Sequence, residues 1–145
     1  MWVIYNSVFP SSRFLALTIW PFVFARKELG EVDKNHEFIH GRQQVEVMIV
    51  SFFLLLFIIL ISKLSFFWLL LSLVSYYVLY CLEYTVRAIL YGGFGREAYR
   101  NISFEQEAYE NESNLLYLGS RRLFAWIFFI PLKTFRRSKI VRPEN

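Results

Sequence analysis

The sequence predicts an all-α membrane protein: an antiparallel transmembrane helix hairpin, a polar helix that returns to its start, and short interfacial apolar segments at both ends. Three observations predict it. Of the 145 residues 56% are apolar and 20% aromatic, against roughly 45 to 50% apolar for an ordinary globular chain. Two apolar segments, residues 47–62 and 65–82, are parted only by Lys63 and Leu64, with no proline or glycine from Arg42 to Tyr91. The second is of the length that crosses a hydrocarbon core of about 30 Å as a helix, and the first reaches it as the direct continuation of the helix that begins before it. A final polar stretch, 103–118, lies beyond the hairpin, so it returns to the level at which the first helix begins.

By length the chain is one membrane-embedded domain, 1–145. Residues 1–25 form an interfacial segment. Residues 1–9 are rich in β-branched and aromatic side chains and end at Pro10, which suits a short strand or an interfacial piece. They lack the basic start and small-residue cleavage site of a signal peptide, so insertion is expected through internal segments. The apolar run 14–25 is interrupted by Pro21 and too short to cross as a helix; it is expected to lie in the interface, to re-enter, or to form a strand over the histidine motif at 36–40. Residues 26–34 are a charged linker containing Gly30, and Asp33 is placed to cap the next helix.

That helix, 33–62, begins with polar turns and becomes the first transmembrane segment. The second spans 65–90, with Glu83 and Arg87 spaced for an i,i+4 ion pair. Gly92, Gly93 and Gly95 end it; no Lys-Ser/Thr comes after them, so a phosphate loop is not indicated. In the polar helix 103–118, Ser103 and Gln106 have capping-box spacing and Gly119 supplies a stop. Residues 123–132 are apolar but contain Pro131 and are placed in the interface; 133–145 is a basic tail. Cys81 is the single cysteine, which excludes an internal disulfide.

The net charge is +4. The basic residues flank apolar runs, as suits anionic lipid head groups as partner rather than nucleic acid. Of sixteen Lys and Arg, only Lys63 falls in the hairpin turn if the short apolar runs do not cross. The positive-inside rule then puts the other side in the cytoplasm.

Both histidines of the chain lie in one stretch, His36-Glu37-Phe38-Ile39-His40. This is H-E-x-x-H spacing. On a helix, His36 and His40 stand one above the other and reach one tetrahedral ion, while Glu37, displaced by about 100°, holds a water beside it. A catalytic zinc site needs three protein ligands, and no third histidine exists. The hairpin brings the acids of the polar helix back to this level, and Glu105 is the expected third ligand, sharing a face with Tyr109 and Glu112. Tyr109 is a candidate donor to a developing oxyanion, with membrane anchoring as its plainer role. Glu107 and Glu110 are expected to be solvated. Gln43 or Gln44, one turn past His40, could order a ligand or a substrate backbone. Glu46 and Glu83 are left outside the site.

The two segments, His36 to His40 and Phe104-Glu105-Gln106-Glu107-Ala108-Tyr109, resemble the integral-membrane gluzincin metallopeptidases: type I CAAX prenyl proteases, the heat-shock membrane protease X group and the peptidase domain of β-lactam sensor-transducers. The resemblance covers about a third of the chain. It implies zinc on His36, His40 and Glu105, Glu37 as general base, a peptide or membrane-protein substrate, and a place in the bacterial inner membrane with the site on the cytoplasmic face. The chain departs from the pattern in two places. Tyr109 stands where those families carry an aspartate, removing the carboxylate that would support a histidine from that position, and Ile39 stands where several have glycine. The chain is also shorter than those enzymes, so a partner membrane protein or an oligomer is expected to complete its cleft. It also resembles a set of short bacterial membrane proteins, which implies no function.

Other chemistries fit less well. A di-iron carboxylate oxidase wants a second E-x-x-H from another helix, and a desaturase many more histidines. A serine or cysteine hydrolase would spend a histidine as base and leave the spacing unexplained. The remaining alternative is a non-catalytic membrane assembly or interaction protein with a structural metal or none.

Overall fold

A three-stranded sheet precedes the helices. In the computed structural model, which describes residues 1–11 and 14–130, β1 (Trp2–Tyr5), β2 (Ala16–Ile19) and β3 (Phe22–Ala25) are ordered β1-β3-β2. β1 runs parallel to β3, and β2 antiparallel to it with Thr18 opposite Val23. The described residues are 62% helix and 9% strand. The all-α expectation is therefore corrected to a mostly helical fold with a small N-terminal sheet. Its cause is visible in β3: alternation buries Val23 and Ala25 while Phe22 is exposed. The buried pair joins Leu29, with Val3, Ala16 and Phe38 packed against it, which seats the sheet on the start of the first helix.

That helix, α1 (Glu31–Ser62, 32 residues), is about 48 Å long at 1.5 Å per residue. Gly30 is its N-cap in extended conformation, with no side-chain cap. Asp33 thus does not cap as expected; it lies inside the first turn with Glu31, where acids favour the positive helix end. Lys63, left-handed at φ 54°, ends the helix. Among the described residues, α1 is the one helix long and apolar enough to cross a membrane by itself.

The expected continuous second helix over 65–90 is corrected to two pieces. A 3-10 helix, Phe66–Leu73, meets α2 (Ser75–Leu90) at a bend of 55°. Serines account for the break: the Ser72 and Ser75 hydroxyls donate to the carbonyls of Leu69 and Ser72, each at 2.7 Å. Such back-bonding competes with the helical ladder and bends it. The second piece nevertheless returns along α1, with Ser51 against Ser75 at 2.7 Å and Gln44 against Tyr77 at 3.3 Å.

After α2, Gly92 (φ 77°) and Gly93 (φ 156°) take backbone conformations that a side chain would strain. The Gly93 amide donates back to Ala88 O at 2.8 Å. Short α3 (Arg96–Arg100) then leads into α4 (Ser103–Asn111). The predicted capping box does not form. Glu83 of α2 takes its place, its carboxylate accepting from the Ser103 amide at 2.9 Å and from the Ser103 hydroxyl at 2.6 Å. Gln106 instead donates to Asn101 Oδ1.

The expected helix 103–118 stops at Asn111 because Asn35 Nδ2 of α1 binds the carbonyls of Asn111, Glu112 and Asn114 at 3.2, 2.9 and 3.1 Å. Gly119 is not the stop; it falls within α5 (Tyr117–Ser120). A last 3-10 helix, Ala125–Phe129, packs Trp126 on Phe104 with ring centroids 4.6 Å apart. Phe104 centres an aromatic core with Val47, Tyr76 and Ile102. Pro131, Leu132 and the basic tail 133–145 lie outside the described residues.

Candidate metal centre

His36, His40 and Glu105 converge, each offering a ligand atom within 4.8 Å of the others. The two Nε2 atoms are 3.0 Å apart, His40 Nε2 is 3.3 Å from Glu105 Oε1, and His36 Nε2 is 3.7 Å from Glu105 Oε2. Bonds of about 2.0 to 2.2 Å to one tetrahedral ion would separate ligand atoms by roughly 3.3 Å. The spacing is that of ligands around a single ion.

The hydrogen bonds behind the ligands fix which ring nitrogens face inward. Gln43 donates through Nε2 to Phe104 O and Glu107 Oε2, both at 3.0 Å, which turns its Oε1 toward His40. His40 Nδ1 lies 2.8 Å from that oxygen and must carry the proton. His36 Nδ1 lies 2.9 Å from Glu112 Oε2, and a carboxylate only accepts. With each Nδ1 so engaged, both imidazoles turn Nε2 toward the same spot, the arrangement a metal requires.

Glu105 is 2% exposed. Its Oε1 accepts from the Tyr80 and Tyr99 hydroxyls at 2.8 and 2.9 Å, while Oε2 is buried with no hydrogen-bond partner among the described residues. A buried oxygen left bare is costly unless something fills the gap, and a cation between it and the two imidazoles would do so. Burial alone would push the Glu105 carboxyl up, but the His40 imidazole, then His36 and the Tyr80 hydroxyl, hold it below its usual 4.5.

Glu37 is half-buried on the neighbouring face of α1. Thr18 of β2 donates its hydroxyl to Glu37 Oε2 at 2.7 Å, and lies 3.1 Å from the Glu37 carbonyl. Gln44 fastens the same strand, donating to Thr18 O at 2.9 Å and accepting from the Trp20 amide at 2.9 Å. Strand β2 thus lies against the motif, one of the positions expected of residues 14–25. Tyr109 contributes its ring, whose centroid is 4.8 Å from that of His36, with the Arg100 guanidinium over its face. Burial, and next the Glu105 charge, push the Tyr109 phenol up to about 12, so it stays protonated at neutral pH.

One reading of a single residue changes. Glu107 is not solvated but fully buried, bound by Arg121, the Tyr117 hydroxyl and Gln43. Arg121 also grips Glu46, tying α1 to the chain beyond α4. Gln43 and Gln44 hold His40 and β2 respectively. Glu110 is exposed, as expected. Thr18, Asn35, Tyr80, Tyr99 and Arg121 carry no motif, and only their contacts reveal them.

No protein-family model matches the chain, and neither a curated protein nor a solved structure matches it.

Proposed function

We propose that the chain is a zinc-dependent membrane peptidase working at the cytoplasmic membrane surface, with the apolar half of α1 in the bilayer and the bent second segment beside it. The observation that carries the proposal is the Glu105 carboxylate, its Oε1 beside His40 and its bare, buried Oε2 beside His36, set against two imidazoles whose Nδ1 atoms are already committed. The exposed apolar side chains of α1, among them Phe53, Leu54, Phe57, Leu60 and Ile61, support the bilayer placement.

Zinc held by His36, His40 and Glu105 would supply Lewis acidity toward a bound water and a peptide carbonyl. Glu37 takes a proton from that water and passes it to the leaving amine. Thr18, bonded to Glu37 Oε2, leaves Oε1 for the water and fixes the carboxylate's rotation. Tyr109 is the candidate donor toward a developing oxyanion, its phenol protonated throughout the neutral range.

Metal analysis of the purified chain tests the proposal, together with Glu37→Gln. About one zinc per chain, lost in His36→Ala and kept in Glu37→Gln with hydrolysis abolished, is expected. Wild-type protein free of zinc after careful preparation would remove the basis for it. The Thr18 bond to Glu37 also suits a non-catalytic membrane assembly protein with a structural metal, since it occupies the base. On that second reading, zinc is present and no peptide is cleaved.

A further inference from the structure

We propose that Arg100 forms a carboxylate-binding subsite at the rim of the His36, His40 and Glu105 centre, so that the peptide taken carries a carboxylate one or two residues from the cleaved bond. The inference rests on the peptidase reading. Among the described residues, four arginines are at least partly buried: Arg26, Arg87, Arg100 and Arg121. Arg87 holds Glu83, Arg121 holds Glu46 and Glu107, and Arg26 donates to the carbonyls of Val8 and Pro10. Arg100 has no carboxylate or carbonyl acceptor among the described residues. Its guanidinium carbon instead lies over the Tyr109 ring, 5.1 Å from the centroid.

That ring is the link to the centre. Its centroid is 4.8 Å from that of His36, so laid end to end the two contacts keep the guanidinium within about 10 Å of the His36 ring. An extended chain advances roughly 3.3 to 3.6 Å per residue. Allowing for the depth of an ion pair, a peptide with its scissile bond over the centre brings a carboxylate to Arg100 one or two residues away. One N–H of that guanidinium is within reach of the Tyr109 phenol, and the remaining in-plane N–H groups can meet the two oxygens of a carboxylate. The acids on the Tyr109 side are otherwise engaged, Glu105 by Tyr80 and Tyr99 and Glu112 by His36. The carboxylate could be a peptide's C-terminus or an Asp or Glu side chain; the chemistry at Arg100 is shared.

The test is equilibrium binding of three short peptides to the full chain in detergent micelles, with zinc loaded and with zinc stripped. One peptide is a free acid, one its C-terminal amide, and one an amide with an aspartate at the penultimate position. We expect the acid to bind at least about tenfold more tightly than the neutral amide, in both metal states, as suits a charge-assisted hydrogen bond. Arg100→Ala should erase that preference and Arg100→Lys keep part of it, with zinc content unchanged in both. If the aspartyl amide matches the acid, a side-chain carboxylate serves; if only the acid binds tightly, the site takes a chain terminus. Equal or absent binding of acid and neutral amide, or a preference that survives Arg100→Ala, overturns the proposal. Since the preference is read without metal, failure of the peptidase reading shows separately, as missing zinc or missing cleavage.

Discussion

His36 Nδ1 lies 2.9 Å from Glu112 Oε2. Glu112 stands seven residues after Glu105, whereas the resembled families supply their supporting carboxylate from the position of Tyr109, four residues after. Here Tyr109 gives a ring instead, and the acid is found one turn further on, where Asn35 holds the Glu112 carbonyl at 2.9 Å. Adjacent residues of α1 thus fix the backbone of Glu112 and read its side chain. Outer-shell partners of this kind are worth about 10- to 100-fold in metal affinity. Glu112→Ala should weaken zinc binding by that amount in a competition titration, while Glu110→Ala, at an exposed position, should stay within about threefold. Equal losses in the two variants would count against the role given to Glu112.

Arg121 connects the same centre to the fold's interior. It bridges Glu46 and Glu107, and Glu107 accepts from Gln43, which accepts from His40. All three charged side chains are nearly fully buried. Removing the cation leaves two buried carboxylates uncompensated, a loss of about 3 to 5 kcal/mol. Arg121→Leu should therefore lower the thermal midpoint sharply, and Arg121→Lys should restore only part because it lacks the fork that reaches both acids. A variant Arg121→Leu with unchanged melting would show the network to be energetically idle.

The motif is legible in the sequence because H-E-x-x-H is local: helical geometry alone places His36 above His40. Glu105 is legible through topology, since a chain that turns at Lys63 and runs back must carry its later residues to the level of its start. The sheet is hidden because β1, β2 and β3 are four residues each, and a short apolar run with a proline reads equally as interfacial. The bend before Ser75 is hidden because hydropathy registers apolar content and not the serine hydroxyls that take backbone carbonyls. The burial of Glu107 is hidden because it depends on a cation 14 positions further on, at Arg121, which no helical periodicity announces.

The metal-free protein should show a defined acid dependence at Glu105. Its carboxyl is held below the usual 4.5, against burial, by the two imidazoles and Tyr80. A folded value below the unfolded one contributes stability above the unfolded pKa of about 4.3, and that contribution is lost as pH falls through the folded value. The difference in thermal midpoint between wild type and Glu105→Gln should thus not fall between about pH 7 and 5 and should shrink below about 4.3. A difference that shrinks well above pH 5 would mean the acid is not held down by its neighbours.

Thr18 carries the last prediction, because it links the sheet to the base. The sheet is seated on α1 by Val23, Ala25 and Leu29, and Gln44 bonds both Thr18 O and the Trp20 amide. Thr18 therefore has little freedom, and its hydroxyl holds Glu37 Oε2 from a fixed point. Thr18→Val keeps the shape of the side chain and removes only the donor. If Glu37 is the general base, its loss of orientation should reduce kcat by roughly 10- to 100-fold, within the range proton transfer contributes, with KM and zinc content nearly unchanged. Thr18→Ser keeps the hydroxyl and should recover most of the rate. If the hydroxyl instead blocks the base, Thr18→Val should be faster than wild type, and the strand would be a restraint on the site and not a support for it.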